Sequence, residues 1–263
     1  MTRPRLLHAA LTIGAVAALV WLELKRPLRT PVEAVAPRLA RNAAIGAVTA
    51  GLVRTIERPV VGRVSAVAER HAWGLVPRLP LSPRARLIAA VLLMDYTLYW
   101  WHVLLHRSPA LWRLHEPHHT DRDLDASTAL RFHFLEFLAS VPWRCAQIAL
   151  IGVSPRALGL WQKLTFAEVI FHHSNVRLPR RLEAWLSRLV VTPRMHGVHH
   201  SVHRAERDSN FSSGLSVWDD LHRTRTESAR DDVIIGLPQR RASELTLART
   251  LAMPFTTQED DDR

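Results

Sequence analysis

The chain carries fifteen histidines, and eight of them fall into three tight groups. His102 and His106 stand at i, i+4, His115, His118 and His119 form HxxHH, and His196, His199 and His200 form HxxHH a second time. Imidazole at this density has one common physical use, ligation of metal through neutral ring nitrogens. Asp95, Tyr99, His102 and His106 fall at i, i+4, i+7 and i+11, so they share one face of an otherwise apolar helix. A row of ionisable groups on such a helix is costly to bury and marks a functional face. Ligand count then sets nuclearity. A zinc ion closes with four ligands, or three plus water when catalytic, so eight or more clustered histidines exceed one tetrahedral ion and suit two metals of higher coordination. Iron, zinc, copper and nickel all accept imidazole, and spacing alone does not choose among them.

Two rival chemistries share these residues. His115, Glu116 and His119 satisfy HExxH, in which two histidines one turn apart bind zinc beside a glutamate base, giving a zinc-dependent membrane hydrolase. Pro117 argues against it, because that motif needs an unbroken helix. A non-catalytic histidine-rich metal-binding membrane protein is the other. Cys145 is the only cysteine, which excludes an intramolecular disulfide, a Cys-ligated zinc, an iron–sulfur cluster and a CxxCH haem attachment. No two glycines lie closer than Gly46 and Gly51, so there is no GxGxxG, GxSxG or Walker loop. A redox enzyme of this kind must take its electrons from another protein. The formal charge of +11 comes from arginines that flank apolar stretches, which suits anionic lipid headgroups better than nucleic acid.

The elements that must carry these groups read as helices. Residues 6–22 are uncharged and just reach the length of a spanning helix, an anchor that no nearby A-x-A triplet would cleave. Residues 42–53 are too short to span alone, and Gly46 and Gly51 lower their helical propensity. Pro77, Pro80 and Pro83 interrupt the chain before its strongest apolar run, 87–106, whose one formal charge is Asp95. Stretches 134–153 and 157–171 are broken by Arg144 and Lys163, which fits buried, re-entrant or snorkelling placement. From Ser174 onward the composition is that of a soluble chain, ending in the acidic run Glu259–Asp262.

The segments Asp95-Tyr96-Thr97-Leu98-Tyr99-Trp100-Trp101-His102 with His106, and Leu111-Trp112-Arg113-Leu114-His115 through His119, resemble the fatty acid hydroxylase and sterol desaturase superfamily. The likeness continues through Thr128–His133, His173–Pro179, Thr192–Ser201, Asn210 and Leu215–Asp219. It implies an all-α integral membrane helical bundle with a cytosolic histidine-rich cap: an N-terminal anchor region at 1–84, a catalytic domain at 85–225 and a C-terminal cytosolic tail at 226–263. It also implies a non-haem centre of two iron ions that uses O2 to hydroxylate or desaturate a lipid. The membrane would be the cytoplasmic one, with the metal on its cytosolic side, and a ferredoxin or cytochrome b5-like donor with its reductase would supply electrons. Carried over by motif, His102, His106, His115, His118, His119, His196, His199 and His200 become ligands, with one more from His172 or His173. The family pattern favours His173; helical register sets His172 on a face with Thr165, Glu168 and Asn175. His133 is expected to orient a ligand or a loop, and His8, His71, His203 and His222 to be structural or exposed. Trp100, Trp101 and Trp112 would line the substrate approach or anchor at the interface. Two departures stand out. Leu221-His222-Arg223-Thr224 replaces Leu-Phe-Gly-Thr, which puts the local turn in question, and Phe134 stands where a proline is common.

Overall fold

The computed structural model describes residues 3–228, 233–240 and 245–256; the side chain of His8 and the run Glu259–Asp262 lie outside the described residues. Long helices dominate: α1 (Arg3–Lys25), α2 (Val35–Leu52), α3 (Arg58–Arg70), α4 (Pro83–Arg107), α5 (Pro109–His119), α6 (Phe134–Ile151) and α7 (Pro155–His173). Short helices α8 (Arg180–Leu186), α9 (Pro193–His199), α10 (Arg204–Arg207), α11 (Val217–His222) and α12 (Leu247–Ala252) complete the cap. Among the described residues no strand forms; three isolated bridges, such as Pro27 with Val176, are the extent of β pairing.

Local chemistry starts these helices where they are needed. Ser82, Ser154 and Thr192 each precede a proline, and each side chain accepts a hydrogen bond from the backbone N–H three residues on. The proline fills the first helical position, where no donor is missed. Ser108-Pro109 ends α4 and begins α5, since the residue before a proline leaves the helical region, here φ −98° and ψ 119°. The chain therefore turns immediately after His106 and brings the next histidines back over it.

The long helices α3, α4, α6 and α7 enclose a core that includes Val61, Ala68, Met94, Ile148 and Trp161, each large side chain contributing about 1.5–3 kcal/mol by burial. Residues 42–52 form the second half of α2, which runs on through a π turn at Val53–Glu57 into α3. A methyl group built at Gly46 would come within 2.9 Å of Leu130 Cβ, so that glycine permits close packing. Arg144 is buried over the Trp161 ring at 4.5 Å, so it interrupts α6 in sequence without exposing it. Both α4 and α6 are long and apolar enough to cross a membrane, with only 33% of each apolar window buried.

Candidate metal centre

Nine histidine rings from four helices and one flanking turn converge in two groups. His102, His106, His115, His119 and His199 form one; His118, His173, His196 and His200 form the other. Within each group the nitrogens that face inward all lie within 4.8 Å of one another. Helix α4 supplies the first pair, the end of α5 supplies three rings, α7 ends on His173, and α9 with the residue after it supplies the last three. The two groups are contiguous, because His119 of the first stacks on His200 of the second at 4.3 Å between centroids. His172 stands beside the second group, its centroid 4.0 Å from that of His196, and it belongs to neither.

Hydrogen bonds set the tautomers. A backbone carbonyl only accepts, so Nδ1 must carry the proton in His102 (Phe211 O, 2.7 Å), His173 (Val169 O, 2.7 Å) and His199 (Ser209 O, 2.7 Å). The Glu136 carboxylate accepts from His115 Nδ1 at 3.0 Å, and Asp208 lies 3.5 Å from His106 Nδ1. The four hydrogen bonds of His102, His115, His173 and His199 turn Nε2, as a bare lone pair, inward. The inward nitrogens then meet. His173 Nε2 faces both His118 Nε2 and His196 Nε2 at 3.0 Å, and His119 Nε2 faces His115 Nε2 at 3.1 Å. Among the described residues His199 Nε2 and both nitrogens of His106 are buried with no hydrogen-bond partner. Buried nitrogens converging this closely, several of them lone pairs, form an arrangement that a cation satisfies. The donor set therefore fits two metal ions: all nitrogen, five and four, the first group beyond the four that tetrahedral zinc uses.

Burial, reinforced by neighbouring imidazoles, holds His118, His119, His196, His199 and His200 well below the ordinary imidazole range, so they are neutral at pH 7, the form that binds metal. Beneath them, Asp121 accepts from Arg38 at 2.8 Å, Asn42 at 3.1 Å and Thr128 at 3.0 Å. Burial alone would raise this carboxyl, but Arg131 and Arg38 outweigh it and hold Asp121 below the usual range. Arg131 also donates to Pro117 O and Thr120 Oγ1, at 2.9 and 2.7 Å, which satisfies a carbonyl left over at the end of α5.

Sequence reading did not find Glu136, Asp208, Arg38 or Asn42. Their partners lie tens of residues away, and no periodic pattern announces a single polar side chain. Asp219 had a signal, the Trp-Asp pair. It accepts from Phe211 N at 2.8 Å and Ser212 N at 3.0 Å. Asn210, at φ +51°, stands between the two carbonyls that hold His199 and His102. His133 caps α6 through Leu135 N and reaches Leu251 O. His222 stacks on Tyr99. Trp112 lies 5.0 Å from His106, whereas Trp101 packs on Trp143 and Trp100 is exposed. Pro117 does not stop α5, since it falls in the last turn. What disfavours the hydrolase is Glu116, which Arg240 holds at 2.6 Å in a buried ion pair.

A family model described as fatty acid hydroxylase matches residues 87–224, over half of the chain and including every converging ring. The chain belongs to the fatty acid hydroxylase family. Among relatives, it is 29% identical over 219 residues to an ornithine lipid hydroxylase of Rhizobium tropici, covering 81% of this chain and 61% of that one. It is 30% identical to human alkylglycerol monooxygenase, over 57% of this chain and 32% of that one. To mouse cholesterol 25-hydroxylase it is 23% identical, over 52% and 45%. The chain thus spans between about a third and three fifths of the length of these fatty acid hydroxylase relatives. No solved structure matches it. The family match runs through Thr224, so it also takes in Asn210 and Asp219.

Proposed function

We propose that this chain is a membrane-bound non-haem di-iron oxygenase that hydroxylates a lipid, using O2 and electrons from a separate protein. The observation that carries this reading is the convergence of nine buried imidazoles in adjoining groups of five and four. Iron held there would supply dioxygen binding and the oxidising power to break an unactivated C–H bond. The chain's own residues do the rest. Phe211 O, Val169 O, Ser209 O and Glu136 hold four rings with Nε2 inward, and burial keeps water from the ligand nitrogens.

Overall, one oxygen atom enters the lipid and the other leaves as water, with two electrons and two protons consumed. With no GxGxxG in these 263 residues, a ferredoxin or cytochrome b5-like donor with its reductase fits the electron supply. Hydroxylation is favoured over desaturation because the relatives are named as hydroxylases and a monooxygenase. The outward apolar faces of α4 and α6 support lateral lipid access from the cytoplasmic membrane, with the arginine-rich cap on the cytosolic side.

The test combines metal content with isotope incorporation. Purified protein should hold two irons per chain and, with donor and reductase, place one 18O atom from 18O2 into a lipid. His118→Ala and His199→Ala should each lose turnover and bound iron while the helical content is kept. One zinc per chain, or full turnover in either variant, contradicts the proposal.

A further inference from the structure

A cavity of about 810 Å³ is walled by the segment after α1, by the loop at 122–125, by Asn175–Arg180 and by residues 233–240. Seven arginines line it against two aspartates, and nothing in the proposed oxygenase chemistry uses them. Both aspartates are committed: Asp123 accepts from Val32 N and Glu33 N, and Asp125 pairs with Arg38. Arg240 is paired with Glu116.

Arg29 is the unusual member. Its Nη2 donates to Pro193 O at 3.1 Å, and its guanidinium lies where a side chain at Gly197 would be. Among the described residues its Nε and Nη1 are buried with no hydrogen-bond partner. Burial, and then Arg194, pull this guanidinium down to about 10, which still leaves it charged at neutral pH. Glu183 offsets part of this cost, and the two unused donors leave room for a further anion.

The rim of the same cavity is apolar. Val32, Val35 and Ile234 line it while remaining 64%, 57% and 62% exposed. The cavity also begins just past the end of α1, a helix that leaves Leu11, Ile13, Trp21 and Leu24 exposed. Cationic walls, an apolar lip and an adjoining apolar helix match one kind of ligand, an acidic headgroup with its tails alongside.

We propose that this pocket binds the phosphate- or carboxylate-bearing headgroup of an anionic lipid, with Arg29 and Arg122 in its cationic wall. The site stands on its own geometry and does not depend on which metal the histidines hold.

The test is equilibrium binding to the purified full chain in uncharged detergent, with no turnover involved. The probes are dihexanoylphosphatidylglycerol, dihexanoylphosphatidylcholine and inorganic phosphate. The phosphatidylglycerol should bind saturably and about tenfold more tightly than either other probe, the scale of a charge-assisted contact in a fixed site. Arg122→Glu, at an exposed position, should weaken it by about tenfold with helical content unchanged. Arg29→Gln should do the same, and Arg122→Glu keeps the question answerable if that buried variant fails to fold. Equal binding of the two lipids, or undiminished phosphatidylglycerol binding in Arg122→Glu, overturns the site. Inorganic phosphate binding as tightly as phosphatidylglycerol overturns the lipid as its ligand.

Discussion

Nine imidazoles are only as useful as the groups that hold them, and Glu136 is the clearest case at the scale of single residues. Its carboxylate accepts from His115 Nδ1 at 3.0 Å in a buried setting. A carboxylate behind a ligating histidine both orients the ring and makes Nε2 a stronger donor. Glu136→Gln should therefore leave the ring in place but lower iron affinity by about 10–100-fold, read as iron retained per chain during titration with a chelator. Unchanged retention would mean that His115 does not ligate. Asn210 tests the opposite face of the same group. Its side chain donates to Met195 O and Thr226 O and accepts from Thr226 N, while its φ of +51° aims the carbonyls on either side of it at His199 and His102. Asn210→Ala loses these bonds and leaves a Cβ in left-handed backbone without the amide that makes it tolerable there, at about 1–2 kcal/mol for the backbone alone. Asn210→Gly loses the bonds and keeps the backbone, so it should be the milder variant by that difference in denaturant unfolding.

At the scale of elements, the departure at Arg223 has a structural consequence. The structure keeps the left-handed turn that a glycine would favour, with Arg223 at φ +57° at the end of α11, and Thr224 N still bonds to Asp219 O at 2.9 Å. Arg223→Gly should relieve steric strain while adding freedom to the unfolded chain, for a net gain of about 0.5–1 kcal/mol. A lower midpoint in urea would contradict this. How much of the site was legible follows the same division. Helix α4 and its histidine-bearing face could be read because an i, i+4, i+7, i+11 row has one geometric meaning, and HxxHH stands out in any context. The choice between His172 and His173 could not. Both sit on the last turn of α7, and only the three-dimensional path of α9 decides that His173 Nε2, at 3.0 Å from His196 Nε2, is the one that faces inward. Helix α2 was hidden for a different reason: the low propensity of Gly46 is outweighed by its contact with Leu130, a tertiary effect that no local scale contains.

At the scale of the whole molecule, the first helices and the cap meet at Asp121, where Arg38 and Asn42 from α2 reach the loop that follows the second histidine group. Arg38 and Arg131 are both buried there, so Asp121→Asn should cost about 3–5 kcal/mol, the penalty for leaving a buried charge uncompensated. The same architecture makes the metal-free protein acid-sensitive, and the sign can be worked out. His118, His119, His196, His199 and His200 are held well below their ordinary range by burial and then by one another. Unfolded, each ring takes a proton as pH falls through about 6.5; folded, it does not until much lower pH. The unfolded chain thus binds more protons below about pH 6.5, and stability must drop as pH falls, by up to about 1.4 kcal/mol per pH unit for each ring. Asp121, held below the usual carboxylate range by Arg131 and Arg38, adds a second loss that begins only near pH 4, at about its unfolded value. Unfolding midpoints of chelator-treated protein should therefore be level between about pH 7 and 8 and fall steeply toward pH 5. Iron should delay that fall, since it competes with protons for the same nitrogens and stabilises only the folded chain. A midpoint that does not move between pH 7 and 5 would mean that these rings exchange protons freely while folded, and the closed ligand cage would be wrong.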